Sequence, residues 1–152
     1  MIKIKYENIL VPILVGIVMN LVNSNFLKLL FHYFPITLVW TFGKGAWWLY
    51  VPWYIQILYV GIAAPVFEEL IFRNLIFNWF LKKKYFTYGL IISSVLFGFW
   101  HMVSGWGILK AIDMIFVGII FALIYNKYGF KGSLIAHLSN NWLSLFFLLV
   151  LN

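Results

Sequence analysis

Long apolar stretches follow one another along most of this chain, separated by short polar connections. They lie near residues 9–31, 47–80, 87–103, 109–126 and 131–151. A run of about 20 apolar residues can cross the hydrocarbon core of a bilayer as a helix. Because lipid offers backbone groups no hydrogen-bond partner, such segments must be helical. The sequence therefore predicts an all-α, polytopic transmembrane bundle of about five spans, within a range of about four to six.

The composition agrees with a membrane environment. Of the 152 residues, 64% are hydrophobic and only 10% are charged, which is more apolar surface than a soluble domain of this size could bury. We expect residues 1–152 to form a single integral membrane domain in contact with lipids. The net charge of +7 comes from scattered lysines, which suit anionic headgroups better than nucleic acid. The absence of cysteine excludes disulfides, thiolate zinc ligands and a cysteine nucleophile.

The second apolar stretch, near residues 47–80, is longer than a perpendicular span requires. It contains Gly61 and Pro65, and a proline cannot donate the backbone hydrogen bond of a helix interior. We therefore expect this stretch to be strongly tilted, kinked near Pro65, or divided there. Residues 32–50 combine Pro35, Gly43, Lys44 and Gly45 with tryptophans that include Trp47 and Trp48, which favours a position at the level of the headgroups.

The lysines near the ends of the predicted spans indicate an orientation. One side of the membrane would carry Lys3, Lys5, Lys82, Lys83, Lys84, Lys127 and Lys131, and the other Lys28, Lys44 and Lys110. Because lysine is enriched on the cytoplasmic side, the N-terminus is expected to be cytoplasmic. The first stretch lacks the cleavage pattern of a signal peptide and is expected to remain as a span. Frequent Ile, Lys, Asn, Phe and Tyr favour an AT-rich genome and a bacterial plasma membrane.

Two of the four acidic residues, Glu68 and Glu69, are adjacent within the second stretch. A carboxylate at the bilayer centre costs about 3 kcal/mol, so the pair needs a partner, a proton or a water-filled cavity. Glu69 and Arg73, the only arginine, are spaced i and i+4 and share a helix face. This spacing predicts a Glu69–Arg73 ion pair and leaves Glu68 without a partner. The structural alternative is a buried ion network that only fixes helix packing.

Two of the three histidines lie within predicted spans. His137 and Asn141 are spaced i and i+4, so both can project from one face of the last helix. His32, near a span end, is expected to be a packing residue. Counting about 1.5 Å per residue along straight helices puts His101 near the outer end of its span and His137 roughly 9 Å from the inner end of its own. In this count the two do not meet, unless tilted helices or an unwound start of the last span bring them together.

These polar groups suit the hydrolysis of an amide. Two imidazoles, a carboxylate and a carboxamide can activate water and stabilise the oxyanion formed on a peptide carbonyl. A Glu/His/His set also resembles the ligands of catalytic zinc, although no His-Glu-x-x-His occurs in the sequence. Zinc is therefore a candidate cofactor, with Glu68, His101 and His137 as its candidate ligands.

Three ordered motifs carry a resemblance to a known family. They are Glu68-Glu69-x-x-x-Arg73, Phe97-x-x-x-His101 and His137-x-x-x-Asn141. Over about residues 60–145, the chain resembles the CAAX-protease and bacteriocin-processing family of intramembrane proteases, also called the Abi family. The chain departs from the family at Asn74, where glycine is common, and in its short N-terminal part.

The resemblance implies an endopeptidase that cleaves a membrane-associated protein or peptide. The catalytic residues it implies are Glu68, His101, His137 and Asn141. Glu68, assisted by His101, would activate water, and the other two would bind the oxyanion, with Glu69 and Arg73 in support. Family members include prenyl-protein endopeptidases, peptide-processing enzymes and proteins linked to bacteriocin immunity, so the motifs leave the substrate open.

Several alternatives compete with the protease. A non-catalytic immunity or scaffold protein could keep this fold for binding alone, and a proton relay or small transporter could use the same buried groups. Ser104 lacks the glycine two residues earlier that a rhomboid-like motif would show, and is expected to be a loop residue. Asp113 lacks a Gly-x-Gly-Asp context and, near Lys110, is expected to be a helix-end charge.

Overall fold

The computed structural model describes residues 5–34 and 47–150. Its first helices are α1 (Glu7–Tyr33), α2 (Trp53–Lys82) and α3 (Phe86–Val103). Most of the segment predicted to lie at the headgroups, residues 32–50, falls outside the described residues. Its described end is a single 3₁₀ turn, Trp47–Tyr50.

The last helical stretch, Ile108–Val150, consists of two helices that meet at Gly129. This glycine has φ 67° and ψ −170°, a backbone conformation that residues with a side chain rarely adopt. A Cβ atom added there would meet nothing within 4 Å, so the backbone conformation rather than crowding requires glycine. The break gives α4 (residues 108–128) and α5 (residues 130–150). Within the described ranges, five helices are thus available to cross the membrane, which confirms the predicted all-α transmembrane bundle.

Helix α2 continues through Pro65, so, of the three alternatives, a division at this residue does not occur. Instead, two segments of wider π-helical turns, Tyr59–Ala63 and Glu69–Phe77, interrupt its α-helical geometry. The Ala64 N–H bonds to the carbonyl of Tyr59, five residues back rather than four. Wider turns often accompany functional sites because they change the direction in which side chains project. The first segment ends five residues before Glu68, and the second begins at Glu69.

The helices present apolar side chains to their surroundings as well as to each other. The exposed apolar residues include Leu14, Val18, Leu75, Ile91, Phe116 and Phe146, which represent all five helices. Such a surface is stable in lipid and would be unstable in water. The protein is therefore an integral membrane protein whose outer surface contacts lipid.

Helix α1 packs closely against α5. At the nearest point, a Cβ atom added to Gly16 would lie 2.2 Å from the carbonyl oxygen of Ala136. Since no real side chain fits at that distance, glycine allows the two backbones to approach, as small residues do between membrane helices. This contact places α1 beside the helix that carries His137 and Asn141.

Candidate active site

A fully buried carboxylate joins α2 to α5. The Glu69 side chain lies 3.7 Å from Nε of Arg73 and 2.9 Å from Nδ1 of His137. The hydroxyl of Ser133 also donates a hydrogen bond to this carboxylate. The ion pair predicted from the i and i+4 spacing is confirmed, and two residues of α5 add hydrogen bonds that the spacing did not reveal.

Arg73 is buried together with its carboxylate partner. Its Nη2 atom donates a hydrogen bond of 3.1 Å to the carbonyl of Gly118 on α4, and its guanidinium carbon lies 4.2 Å from the centre of the Phe97 ring. Among the described residues, Nε and Nη1 have no hydrogen-bond partner. The Glu69 carboxylate and the face of the aromatic ring are what compensate this charge in the apolar interior.

Glu68 has partners that the sequence did not indicate. The indole Nε1 of Trp100 donates a hydrogen bond of 3.2 Å to one carboxylate oxygen, and Nε2 of His137 lies 3.6 Å from the other. The expectation that Glu68 has no partner is therefore wrong. An indole N–H within an apolar helix needs an acceptor. Trp100, directly before His101, was therefore the sequence feature that could have indicated a hydrogen-bond partner for Glu68.

The hydrogen bonds of the two histidines indicate where their protons lie. Nδ1 of His137 faces a carboxylate and Nδ1 of His101 lies 2.9 Å from the carbonyl of Phe97, so each Nδ1 must carry a proton to donate. The Nε2 atom of each ring is then left for other contacts. For His137, that contact is the carboxylate of Glu68.

The two histidines lie closer together than the depth count predicts. The Phe97 ring centre is 4.7 Å from that of His101 and 5.9 Å from that of His137. One phenylalanine therefore touches both imidazoles, so the straight-helix count is wrong and the alternative, in which the two histidines come together, is the one observed. The count assumed straight helices that begin at one depth, whereas packing between helices decides which residues meet.

Asn141 is held by a backbone group that Pro65 leaves free. Its Nδ2 donates a hydrogen bond of 2.9 Å to the carbonyl of Val60. In a regular helix this carbonyl would accept from Ala64, but the N–H of Ala64 bonds to Tyr59 instead. The next residue, Pro65, has no N–H to offer. The proline thus creates the acceptor that orients the amide of Asn141.

A cavity of about 440 Å³ brings the expected catalytic residues together. Its lining includes Glu68, His101, His137 and Asn141. Glu69 and Arg73 are fully buried and are not among the lining residues, so they lie behind this wall. The arrangement can supply a carboxylate and an imidazole to a water molecule, and further donors to a polarised carbonyl.

The candidate zinc ligands do not form a metal site in this arrangement. Among the described residues, no three histidine or acidic side chains are close enough together to hold a metal ion. The Nε2 atom of His137 and the Glu68 carboxylate lie 3.6 Å apart, a separation that two ligands of one zinc ion could have, but no third such group joins them among the described residues. The residues present therefore do not fit a three-ligand zinc centre as they stand.

Three other residues singled out in the sequence lie in different surroundings. His32 is exposed at the end of α1, edge-to-face with the neighbouring Tyr33, so the expectation of a packing residue is wrong. Ser104 lies in the turn after α3, as expected for a loop residue. Asp113 pairs with Lys110 in the first turns of α4, and this pair is buried because α1 contacts Lys110 through Asn23.

The fold and the cavity define a class of protein: an integral membrane protein with a buried glutamate–histidine site, whose described residues form five membrane-length helices. Residues 50–143, more than half of the chain, match the family described as Type II CAAX prenyl endopeptidase Rce1-like. The chain belongs to this family, which confirms the relationship inferred from the three motifs. No solved structure matches the chain.

Two curated bacterial proteins are similar to parts of the chain. "Putative membrane peptidase YdiL" of Bacillus subtilis (strain 168) is 40% identical over 47 residues, which are 31% of this chain and 19% of that protein. "UPF0177 protein YxdF" of Lactococcus lactis subsp. lactis (strain IL1403) is 37% identical over 83 residues, 54% of this chain and 44% of that protein. The chain thus spans less than half the length of either relative.

Proposed function

We propose that the protein is an intramembrane endopeptidase that hydrolyses a peptide bond of a membrane-associated protein or peptide through glutamate-activated water. The observation that carries the proposal is the shared cavity, which is lined by Glu68, His101, His137 and Asn141. Membership of the Rce1-like family and the similarity to a protein named as a membrane peptidase support it. We further propose that the N-terminus is cytoplasmic, in a bacterial plasma membrane.

The first step of the proposed reaction is the activation of water. Glu68 takes a proton from a water molecule while the oxygen of this water attacks the carbonyl carbon of the scissile bond. The Nε2 atom of His101 accepts a second hydrogen bond from the same water, because its Nδ1 proton is directed to Phe97. Trp100 holds one oxygen of Glu68, and the other, beside Nε2 of His137, is the oxygen that takes the proton.

The second step is the breakdown of the tetrahedral intermediate. Asn141 donates its remaining N–H to the oxyanion, since its other amide proton is bound to Val60. His137 donates from Nε2 as an imidazolium, whose charge lies between two carboxylates. The proton held by Glu68 then passes to the nitrogen of the leaving group. The C–N bond breaks, and the products are a carboxylic acid and an amine.

Glu69 and Arg73 support these groups from behind the cavity wall. The carboxylate of Glu69 fixes the ring of His137 through Nδ1, as carboxylates commonly do for catalytic and metal-binding histidines. Arg73 balances the charge of this carboxylate and ties α2 to the carbonyl of Gly118 on α4. Their proposed role is therefore to position residues, without contact to the substrate.

Cleavage of membrane peptides by the purified protein in lipid vesicles tests the proposal. Glu68→Gln keeps the shape of the side chain but removes the base, and should lower the cleavage rate by about 10²- to 10⁴-fold. Glu7→Gln is the matched control, because Glu7 is an exposed carboxylate at the start of α1 and should leave the rate unchanged. His137→Ala should also abolish most activity while the protein stays folded.

The other outcomes separate the competing functions. Partner binding that survives Glu68→Gln, with no cleavage by the unmodified protein, would establish the non-catalytic immunity or scaffold function instead. Ion flux through proteoliposomes without peptide would favour the transporter. A chelator added to active protein tests the zinc prediction directly, since loss of activity and its recovery with zinc would require the cavity residues to rearrange around a metal.

A further inference from the structure

The cavity has a wall that the family match does not include. Helix α1 lies before residues 50–143, yet Asn20, Asn23 and Ser24 of this helix line the same cavity as the proposed catalytic residues. Asn20 and Asn23 are three residues apart and therefore face the same side of α1, about one turn from each other. Polar amides on a helix in contact with lipid need a physical reason.

The amide of Asn23 is oriented by a charged neighbour. Nζ of Lys110 donates a hydrogen bond of 2.6 Å to Oδ1 of Asn23, and Lys110 is itself paired with Asp113. An ammonium group can only donate, so the oxygen of the amide must face it. The NH₂ group of Asn23 consequently points away from Lys110. Among the described residues, it has no hydrogen-bond partner.

The amide of Asn20 has the opposite arrangement. Its NH₂ group donates to the carbonyl of Asn140 at 2.8 Å and to the hydroxyl of Ser144. Because a carbonyl can only accept, this orientation of the amide is fixed. The side chain is 2% exposed, and its Oδ1 atom has no hydrogen-bond partner among the described residues. A buried acceptor without a donor costs about 1–3 kcal/mol, which a ligand N–H would recover.

A donor and an acceptor one helical turn apart match the backbone of an extended peptide. A protease must expose the scissile carbonyl, so a helical substrate has to unwind at the point of cleavage. Within a membrane, each backbone group released in this way costs several kcal/mol unless the protein supplies a partner. Neutral amides can supply both kinds of partner without adding charge to the cavity.

We propose that Asn20 and Asn23 form a subsite for the unwound backbone of the substrate, in which Asn23 donates to a substrate carbonyl and Asn20 accepts a substrate N–H. The substrate class is then an extended peptide segment, recognised through its main chain. This inference rests on the proposed peptidase function. It adds that α1, outside the family match, sets how the substrate is held.

The variant Asn23→Asp tests the donor. It keeps an oxygen for Lys110 and removes the NH₂ group. Because this removes one hydrogen bond to the substrate, we expect a rise in KM of about five- to tenfold with little change in kcat. Asn25→Asp is the matched control, because it makes the same change of charge on α1. Asn25 is exposed and does not line the cavity, so its variant should cleave normally.

Ester substitution in the substrate tests the acceptor. Replacing one peptide bond at a time by an ester removes a single N–H, and at one position this should slow cleavage by the unmodified protein about five- to tenfold. Asn20→Leu should be insensitive to the ester at that same position and should respond normally elsewhere. A merely structural role for Asn20 would affect all substrates alike. The Asn23→Asp result stands by itself if Asn20→Leu does not fold.

Binding to an inactive protein separates this inference from the proposed reaction. In the Glu68→Gln background, the peptide should bind, and Asn23→Asp should weaken the binding about five- to tenfold. Equal binding and equal KM for Asn23→Asp and Asn25→Asp would overturn the subsite and leave the peptidase intact. Weaker binding to Asn23→Asp, together with no cleavage by the unmodified protein, would support the subsite and overturn the peptidase.

Discussion

Two sides of one cavity compensate their buried polar groups in different ways. On the side of α2 and α5, the Glu69 carboxylate contacts Arg73 and His137, so the negative charge is paired within the protein, although Nε and Nη1 of Arg73 lack hydrogen-bond partners among the described residues. On the side of α1, Asn20 and Asn23 are neutral amides. Among the described residues, the Oδ1 atom of Asn20 and the NH₂ group of Asn23 have no hydrogen-bond partner. The first side lies within the family match and the second outside it.

This difference follows from the cost of burying each kind of group. A buried charge without its partner costs several kcal/mol, so the carboxylate and guanidinium must be paired before any substrate arrives. An unpartnered amide group costs less and can be tolerated until a ligand supplies the partner. We infer that the charged side prepares the chemistry, whereas the amide side is available for recognition.

Arg73→Met tests the charged side and has the largest expected effect on stability. The substitution keeps most of the side-chain volume but leaves the fully buried Glu69 without its cation. We expect the free energy of unfolding, measured by SDS titration in mixed micelles, to fall by about 3–5 kcal/mol.

The double variant Glu69→Gln, Arg73→Met is the control for this prediction. It removes both charges, so it should be less destabilised than Arg73→Met alone. Equal losses in the single and double variants would show that the pair contributes through packing rather than charge, and the contrast between the two sides of the cavity would disappear.

The sequence predicts much of this fold because the lipid environment leaves few choices. Apolar stretches bounded by lysine, glycine and proline indicate helices. The predicted end of span four, residue 126, and the predicted start of span five, residue 131, flank the break at Gly129. The i and i+4 spacing likewise predicts the Glu69–Arg73 pair, since it depends on one helix only.

Contacts between helices are what the sequence does not predict. The bond from Trp100 to Glu68 joins α3 to α2, and the contact of Phe97 with both histidines joins α3 to α5. Neither follows from spacing within a helix, because both depend on relative depth and rotation. The bond from Asn141 to Val60 also depends on local geometry, namely a wide turn followed by Pro65.

Trp100→Phe tests whether the contact between α3 and α2 positions the proposed base. Phenylalanine keeps an aromatic ring next to Phe67 and Phe72 but removes the indole N–H that binds Glu68. A hydrogen bond to a charged group contributes about 1.5–3 kcal/mol, so we expect kcat to fall about tenfold or more, with KM nearly unchanged. An unchanged kcat would mean that Glu68 needs no positioning by α3.

The smallest expected effect comes from the same substitution on the two sides of the cavity. Ser133→Ala removes a hydroxyl that donates to the Glu69 carboxylate, whereas Ser144→Ala removes one that accepts from the neutral amide of Asn20. Hydrogen bonds to charged groups contribute more than neutral ones, so Ser133→Ala should be the more destabilising by about 1 kcal/mol in SDS titration. Because both serines lie on α5, helix propensity nearly cancels in the difference, whereas burial does not, since Ser133 is fully buried and Ser144 is exposed. A larger loss for Ser144→Ala would contradict the assignment of the charged side as the more tightly compensated one, and would place the main stabilising contact of α5 at α1.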